Sequence, residues 1–128
     1  MGFGSAISSG FSNYVGFSGR ACRSEYWYWA LFIALAEIAT SIVDTALDIQ
    51  LTKSLFGLAT FLPSLAIAVR RLHDLDRTGW WILLSFIPII GWIVLIIWDC
   101  TKGTDGPNRF GPDPLATIGV QINPRPAT

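Results

Sequence analysis

Residues 80–98, WWILLSFIPIIGWIVLIIW, run for 19 positions without a charge, and only Ser85, Pro88 and Gly91 interrupt the large apolar side chains. As one helix at 1.5 Å per residue the run would reach roughly 28 Å, close to the hydrocarbon thickness of a bilayer, with tryptophans at its ends where interfacial anchors belong. An insertion gain of roughly 0.3 to 0.6 kcal/mol for each large aliphatic or Phe residue adds up to several kcal/mol in favour of lipid. A soluble fold would have to enclose such a helix on all sides, which a chain of 128 residues rarely does. Hydrophobic residues make up 52% of the sequence and charged ones 14%, leaving too little polar surface for a water-soluble globule. The chain is expected to be an all-α integral membrane protein.

Two further apolar stretches precede this one. Residues 26–43 open on the aromatic belt Tyr26-Trp27-Tyr28-Trp29 and contain Glu37; residues 51–69 contain Pro63 and reach spanning length if Lys53 snorkels to the interface. The expected architecture is a bundle of three transmembrane helices, over about 26–43, 51–69 and 80–98, in one membrane domain covering residues 1–114. A flexible tail is expected over 115–128. At the other end no basic region leads into an apolar core with a cleavage site, so targeting is expected to come from the spans themselves. Phe3, Ile7, Phe11 and Tyr14 fall at helical spacing and would suit an interfacial amphipathic helix, whereas the glycines and serines among them suit a flexible segment. Both readings stand at this level.

Arginine placement gives the orientation. Arg20 and Arg23 precede the first span, and Arg70, Arg71 and Arg77 lie between the second and third, so the N-terminus and this Arg-rich loop belong in the cytoplasm. Three crossings would put the C-terminal segment outside. The alternative follows from Pro88-Ile-Ile-Gly91 in the middle of the third stretch, which could kink that helix or return it to the cytoplasmic face. A simple crossing is favoured, because a lipid-facing re-entrant turn leaves backbone groups unpaired and two other spans offer little protein to bury it.

Several polar residues need a reason for being there. Glu37 lies roughly 15 Å beyond the aromatic belt, near mid-membrane, where an ionised carboxylate costs about 2.5 to 3.5 kcal/mol or more. Ala30, Ala34, Glu37, Ser41 and Asp44 form one stripe, and Gly57, Thr60, Ser64 and Ala68 a matching one, so Thr60 or Ser64 is expected to satisfy the carboxyl. A neutral interhelical hydrogen bond or an oligomer contact is favoured over a proton or ion relay. In the loop, a continued helix would pair Arg70 with Asp74 and set His73 facing Arg77. Its arginines could grip lipid phosphate, and His73 with Asp74 could form a base and its orienter, but no nucleophile accompanies the chain's single histidine. Cys22 and Cys100 form neither a CxxC pair nor a metal-ligand cluster. Nine basic and nine acidic side chains cancel, which argues against a nucleic-acid partner. After Trp98 the density of Gly, Pro, Asn and Asp specifies turns.

Four motifs recur in a known order: Tyr14-Val-Gly-Phe17-Ser-Gly19-Arg20-Ala-Cys-Arg23-Ser-Glu25-Tyr26-Trp27; Arg70-Arg71-Leu72-His73-Asp74 with Gly79-Trp80-Trp81; Ile87-Pro88-Ile-Ile-Gly91-Trp92; and Gly106-Pro107-Asn108-Arg109-Phe110-Gly111-Pro112-Asp113-Pro114. Together they resemble domain of unknown function 805 (DUF805), a family of small bacterial inner-membrane proteins, over nearly the whole chain. The resemblance implies a predominantly helical protein of the bacterial inner membrane and brings no established reaction, cofactor or substrate.

The resulting expectation is a non-enzymatic membrane protein without catalytic, metal or cofactor site. It would bind anionic lipid or a protein partner through a cytoplasmic face built from Arg20, Arg23, Arg70, Arg71, His73, Asp74 and Arg77, with Asn108 and Arg109 as further candidates. Membrane lipids, a second copy or another membrane protein are the expected partners. The alternative is a subunit of an oligomeric small-solute or ion transporter using Glu37, since three helices alone enclose little pore.

Overall fold

A computed structural model describes residues 2–115; apart from Leu115, the tail expected over 115–128 lies outside the described residues. Helices occur at Phe3–Ser12 (α1), Arg23–Leu47 (α2), Thr52–Asp74 (α3) and Ile90–Cys100 (α4), with a 3₁₀ helix at Gly79–Phe86. The described residues contain no strand, only one isolated bridge between Asn108 and Gly111.

α2 and α3 are each long and apolar enough to cross a membrane. Both exceed the expected spans because helix formation continues into the polar flanks. α2 starts with Glu25 in its first turn, where a carboxylate suits the positive end of the helix dipole. It stops at Asp48, which adopts a left-handed φ of 52°. Asp44 then closes the turn, its carboxylate accepting hydrogen bonds from the backbone N–H groups of Thr52 and Lys53, both at 3.0 Å, and so capping α3 from across the connection. The segment expected as a loop after Val69 is instead the last turn of α3, so Arg70 to Asp74 stand on a rigid helix.

Between α2 and α3 the core is made by Ala21, Trp29 and Ile67, with Tyr26, Phe32 and Ile33 packed around them. Trp29 donates its indole N–H to Ser64 Oγ at 3.0 Å, so α2 turns its aromatic side to α3 rather than the expected Ala30, Ala34 and Ser41 stripe. The N-terminal segment forms the helix that its periodicity allowed. α1 packs on α2, with Phe11 edge-on to Trp29 and Phe32 at 5.2 and 5.9 Å. Gly10 permits this approach, since a Cβ there would come within 2.3 Å of the Trp29 ring.

The third apolar stretch is not one continuous helix. The chain reverses at Ile87–Ile89, where Ile89 has a φ of 68°, and α4 returns along the 3₁₀ helix. Trp81 and Trp98, the two ends of the stretch, meet edge-to-face at 5.6 Å, and Trp92 donates its indole N–H to Ser85 O at 2.8 Å. Pro88 supplies no N–H for a straight helix, and Gly91 lets the strands of the hairpin touch: a Cβ there would stand 1.8 Å from Leu84 O. α4, with 11 residues, spans only about 16 Å, half the hydrocarbon core. Backbone groups at the reversal are paired locally, through Ile87 N to Leu84 O at 3.0 Å and Gly91 N to Ile87 O at 3.1 Å, which removes the objection that such a turn leaves them orphaned.

Candidate functional site

The hairpin returns the chain to where α2 begins and α3 ends, and residues 101–113 fold over that end of the bundle. Arg20 is the tie. Its Nε donates to Asp74 Oδ1 at 3.0 Å, its Nη1 to Gly106 O at 2.7 Å and Gly111 O at 3.4 Å, and its Nη2 to Thr104 O. The guanidinium side chain is 1% exposed. Beside it Arg71, 0% exposed, donates to Asp74 Oδ2 at 2.6 Å, Asp99 O at 3.1 Å and Thr101 O. Arg70 does not reach Asp74; it pairs with Glu25 at 3.2 Å, and Glu25 also accepts from Ser9 Oγ at 2.8 Å, which fastens α1 to the same network.

Arg20, Arg70 and Arg71 thus face the buried carboxyl groups of Glu25, Asp74 and Asp99, three cations against three acids. Balance of this kind lets charges leave water, because each has a partner or a dipole that replaces lost solvation. Four buried nitrogens, Arg70 Nε and Nη2, Arg71 Nε and Arg77 Nε, have no hydrogen-bond partner, so the network is tightly enclosed rather than fully saturated. Burial pushes the Asp99 carboxyl up to about 6, against the opposing pull of a Tyr26 hydrogen bond and the Arg71 charge.

The outer layer uses the remaining motif residues. His73 Nδ1 lies 2.9 Å from Gly19 O; a carbonyl can only accept, so Nδ1 carries the proton. Its ring stacks on Phe110 with centroids 4.1 Å apart, and Asn108 Nδ2 donates to the His73 carbonyl at 2.9 Å. Arg109 bridges to Asp76 at 3.1 Å and Arg77 lies 4.0 Å over the Trp98 ring. His73 therefore faces an aromatic ring, not Arg77, and the Asp74 carboxylate is held by Arg20 and Arg71. Among the described residues no group of three or more His, Cys, Asp or Glu side chains is placed to hold a metal ion.

The structure brings together every candidate of the N-terminal, α3 and C-terminal motifs, including Asn108 and Arg109, which three crossings would have separated from the rest. It alters their meaning, however. Arg20, Arg70, Arg71, His73 and Asp74 are buried and turned toward the chain itself, so they present no open anion-binding face. Asp99 was not expected as a member; Glu25 and Phe110 lay in the quoted motifs, but nothing there marked Glu25 as a cross-helix partner of Arg70 or Phe110 as the ring stacked on His73. Carbonyls of residues 99–111 supply much of the cage, and a carbonyl carries no residue signature.

What remains exposed is small. Arg23 donates to Cys100 O at 3.1 Å, and with Ser24, Trp27 and Tyr28 it lines a shallow apolar pocket of about 240 Å³. Lys102 pairs with Asp105 at 2.9 Å with both side chains largely exposed. Between the hairpin and the bundle a second cavity of about 250 Å³ is lined by Tyr26, Leu72, Trp92, Leu95 and Asp99.

Glu37 is bonded to neither Thr60 nor Ser64. Thr60 donates to Phe56 O within its own helix, Ser64 is taken by Trp29, and the Glu37 carboxylate instead meets Lys53 Nζ at 3.6 Å. Lys53 stands in the first turn of α3 and its long stem reaches toward α2, so the partner of Glu37 comes from the polar start of α3.

The family model described as "Protein of unknown function (DUF805)" matches residues 14–112, the interval from Tyr14 to the end of the folded-over segment. The chain belongs to this family. Among DUF805 relatives, inner membrane protein YhaI of Escherichia coli K12 is 53% identical over 104 residues, covering 80% of this chain and 88% of its own. Inner membrane protein YhaH of the same organism is 45% identical over 108 residues, covering 80% and 89%. YiiR, also of E. coli K12, is 35% identical over 81 residues, covering 62% of this chain and 53% of its own. No solved structure matches the chain. For this DUF805 member the family boundaries coincide with the network: the match opens just before Arg20 and closes just after Gly111, the two ends of the Arg20 clamp.

Proposed function

We propose that the protein resides in the bacterial inner membrane with two crossings, α2 and α3, and a re-entrant hairpin, and that its cytoplasmic end binds anionic lipid headgroups. Arg20, in a segment before α2, and Gly106 and Gly111, after α4, share one guanidinium, which supports an even number of crossings between them. Arginine enrichment around α2 and α3 supports the cytoplasm as the side they share.

The observation that carries the binding reading is the division of the cations. The buried network uses Arg20, Arg70 and Arg71, and leaves Arg23 exposed beside Trp27 and Tyr28 at the level of the aromatic belt, with Lys102 exposed within electrostatic reach of Arg23. Cations beside amphipathic rings suit a phosphate at the headgroup level with the acyl region below it. Lys102 and Arg109 are each held by an exposed carboxylate, Asp105 and Asp76, which a phosphate would have to displace. No reaction is proposed, and the Glu37–Lys53 pairing removes the lone intramembrane carboxyl on which a transporter reading rested.

The test compares the full chain and its Arg23→Gln/Lys102→Gln variant in nanodiscs of phosphatidylglycerol and phosphatidylcholine mixtures, measuring by native mass spectrometry the lipids retained on the ejected protein. The wild type is expected to retain phosphatidylglycerol above its share of the mixture, and the variant to lose that preference. Equal retention of both lipids by the wild type, or an unchanged preference in the variant, refutes this reading.

A further inference from the structure

The hairpin touches only one end of the bundle. Its contacts reach Tyr26 and Trp27 on α2 and Ala68, Val69 and Leu72 on α3, whereas Glu37, on a stretch of α2 that is almost entirely uncovered, and Lys53, in the first turn of α3, lie well beyond. There Glu37, Ile38, Ser41, Ile42, Thr45, Ala46 and Lys53 line an open groove of about 620 Å³. Ile38 and Ile42 are 59% and 64% exposed, as a lipid-facing helix tolerates, but the ion pair is 41% exposed at Glu37 and 55% at Lys53. Charges at such depth are rarely left facing lipid; they turn toward protein or water.

We infer that this groove is a homodimer interface, in which Glu37 of each copy meets Lys53 of the other and the four side chains close into a ring of alternating charge. The occupant follows from symmetry. Two identical chains inserted the same way are related by a twofold axis along the membrane normal, which faces like depth against like depth. A face is self-complementary under that axis when it carries opposite charges at one depth, and the 3.6 Å separation of Lys53 Nζ from Glu37 Oε2 provides this. Ser41, Thr45 and Ala46 are small enough for a neighbouring helix to approach closely. The cytoplasmic network and the lipid reading above are independent of this interface.

The experiment is charge reversal by halves, with the full chain carried in native-lipid particles. Glu37→Lys places two cations in each groove and Lys53→Glu two anions, so each variant alone is expected to run as a monomer. Expressed together under different tags, they are expected to co-purify, exceeding the association of either variant with itself by roughly tenfold or more. In a Cys22→Ser/Cys100→Ser background with the pair intact, Ile38→Cys is expected to cross-link between copies and Leu55→Cys, exposed but outside the groove, is not. A monomeric wild type, no excess of mixed over like association, or cross-linking through Leu55 alone overturns the proposal; lipid or water then fills the groove.

Discussion

Replacing Arg20 with alanine tests whether burial, rather than number of contacts, holds the C-terminal segment in place. The guanidinium donates to one carboxylate and three carbonyls, at 1% side-chain exposure, while Asp74 is 4% exposed. Breaking a buried pair costs about 3 to 5 kcal/mol, largely through the partner left uncompensated. Here Asp74 keeps Arg71 at 2.6 Å, so the lower end applies, about 3 kcal/mol. That corresponds to a loss of roughly 100-fold or more in the docking equilibrium. Arg109 is the control: it makes two bonds from the same segment to Asp76, but with side chains 58% and 47% exposed. Exposed bridges contribute about 1 kcal/mol at most, hence roughly fivefold. Amide hydrogen exchange of the full chain in nanodiscs, followed over residues 103–113, reads both variants. Arg20→Ala is expected to accelerate exchange there by roughly 100-fold with α2 and α3 little changed, and Arg109→Ala by no more than about fivefold. Equal effects of the two variants, or no local acceleration in Arg20→Ala, would refute the reasoning.

Three further outcomes are expected. In intact cells Cys100, which is exposed, should not react with a membrane-impermeant maleimide and should label once the membrane is permeabilised; labelling in intact cells would require a third crossing. Gly91→Ala should destabilise the hairpin by about 2 kcal/mol or more, because the clash is with the backbone of Leu84, whereas Gly57→Ala, with nothing within 4 Å of its Cβ, should be neutral or stabilising by up to about 1 kcal/mol; thermal melts in one detergent compare them. Since burial raises Asp99 to about 6 in the folded state, its ionisation opposes docking. That penalty is complete above about pH 6 and gone below the ordinary carboxyl value of 3.8, so exchange protection at Thr104, corrected for intrinsic rates, should rise as pH falls through this window and lose that dependence in Asp99→Asn.

Helix content and the two long apolar helices, α2 and α3, were legible because they depend on hydropathy and length, which composition along the chain records directly. The third stretch was harder: by hydropathy alone it equals a crossing helix, and only the contact between Gly91 and the Leu84 carbonyl, a long-range fact for such a short segment, decides that it folds back. Pro88 and Gly91 signalled that reversal without fixing it. That polar motif residues before α2 and at the end of α3 would lie near one another was legible from their place beside the spans; that Asn108 and Arg109 join them was not, because the favoured third crossing separated them. Nor was their role legible, since an arginine bonded to carbonyls and one waiting for a phosphate have the same letter. Lys53 shows the same limit, because its reach toward Glu37 depends on where α3 starts.

The Arg20 clamp also has a history within the synthesis of each chain. Arg20 and Arg71 leave the ribosome before residues 99–111, from which Asp99, Thr101, Thr104, Gly106 and Gly111 supply their later acceptors. If α2 and α3 enter the membrane as proposed, these two cations do so short of those acceptors and able to resist translocation, the stage at which orientation is decided. Only as the last stretch arrives are they enclosed. On the proposed topology the same two side chains act first as signposts for which way the chain is threaded, and afterwards as the rivets that hold its last segment in place.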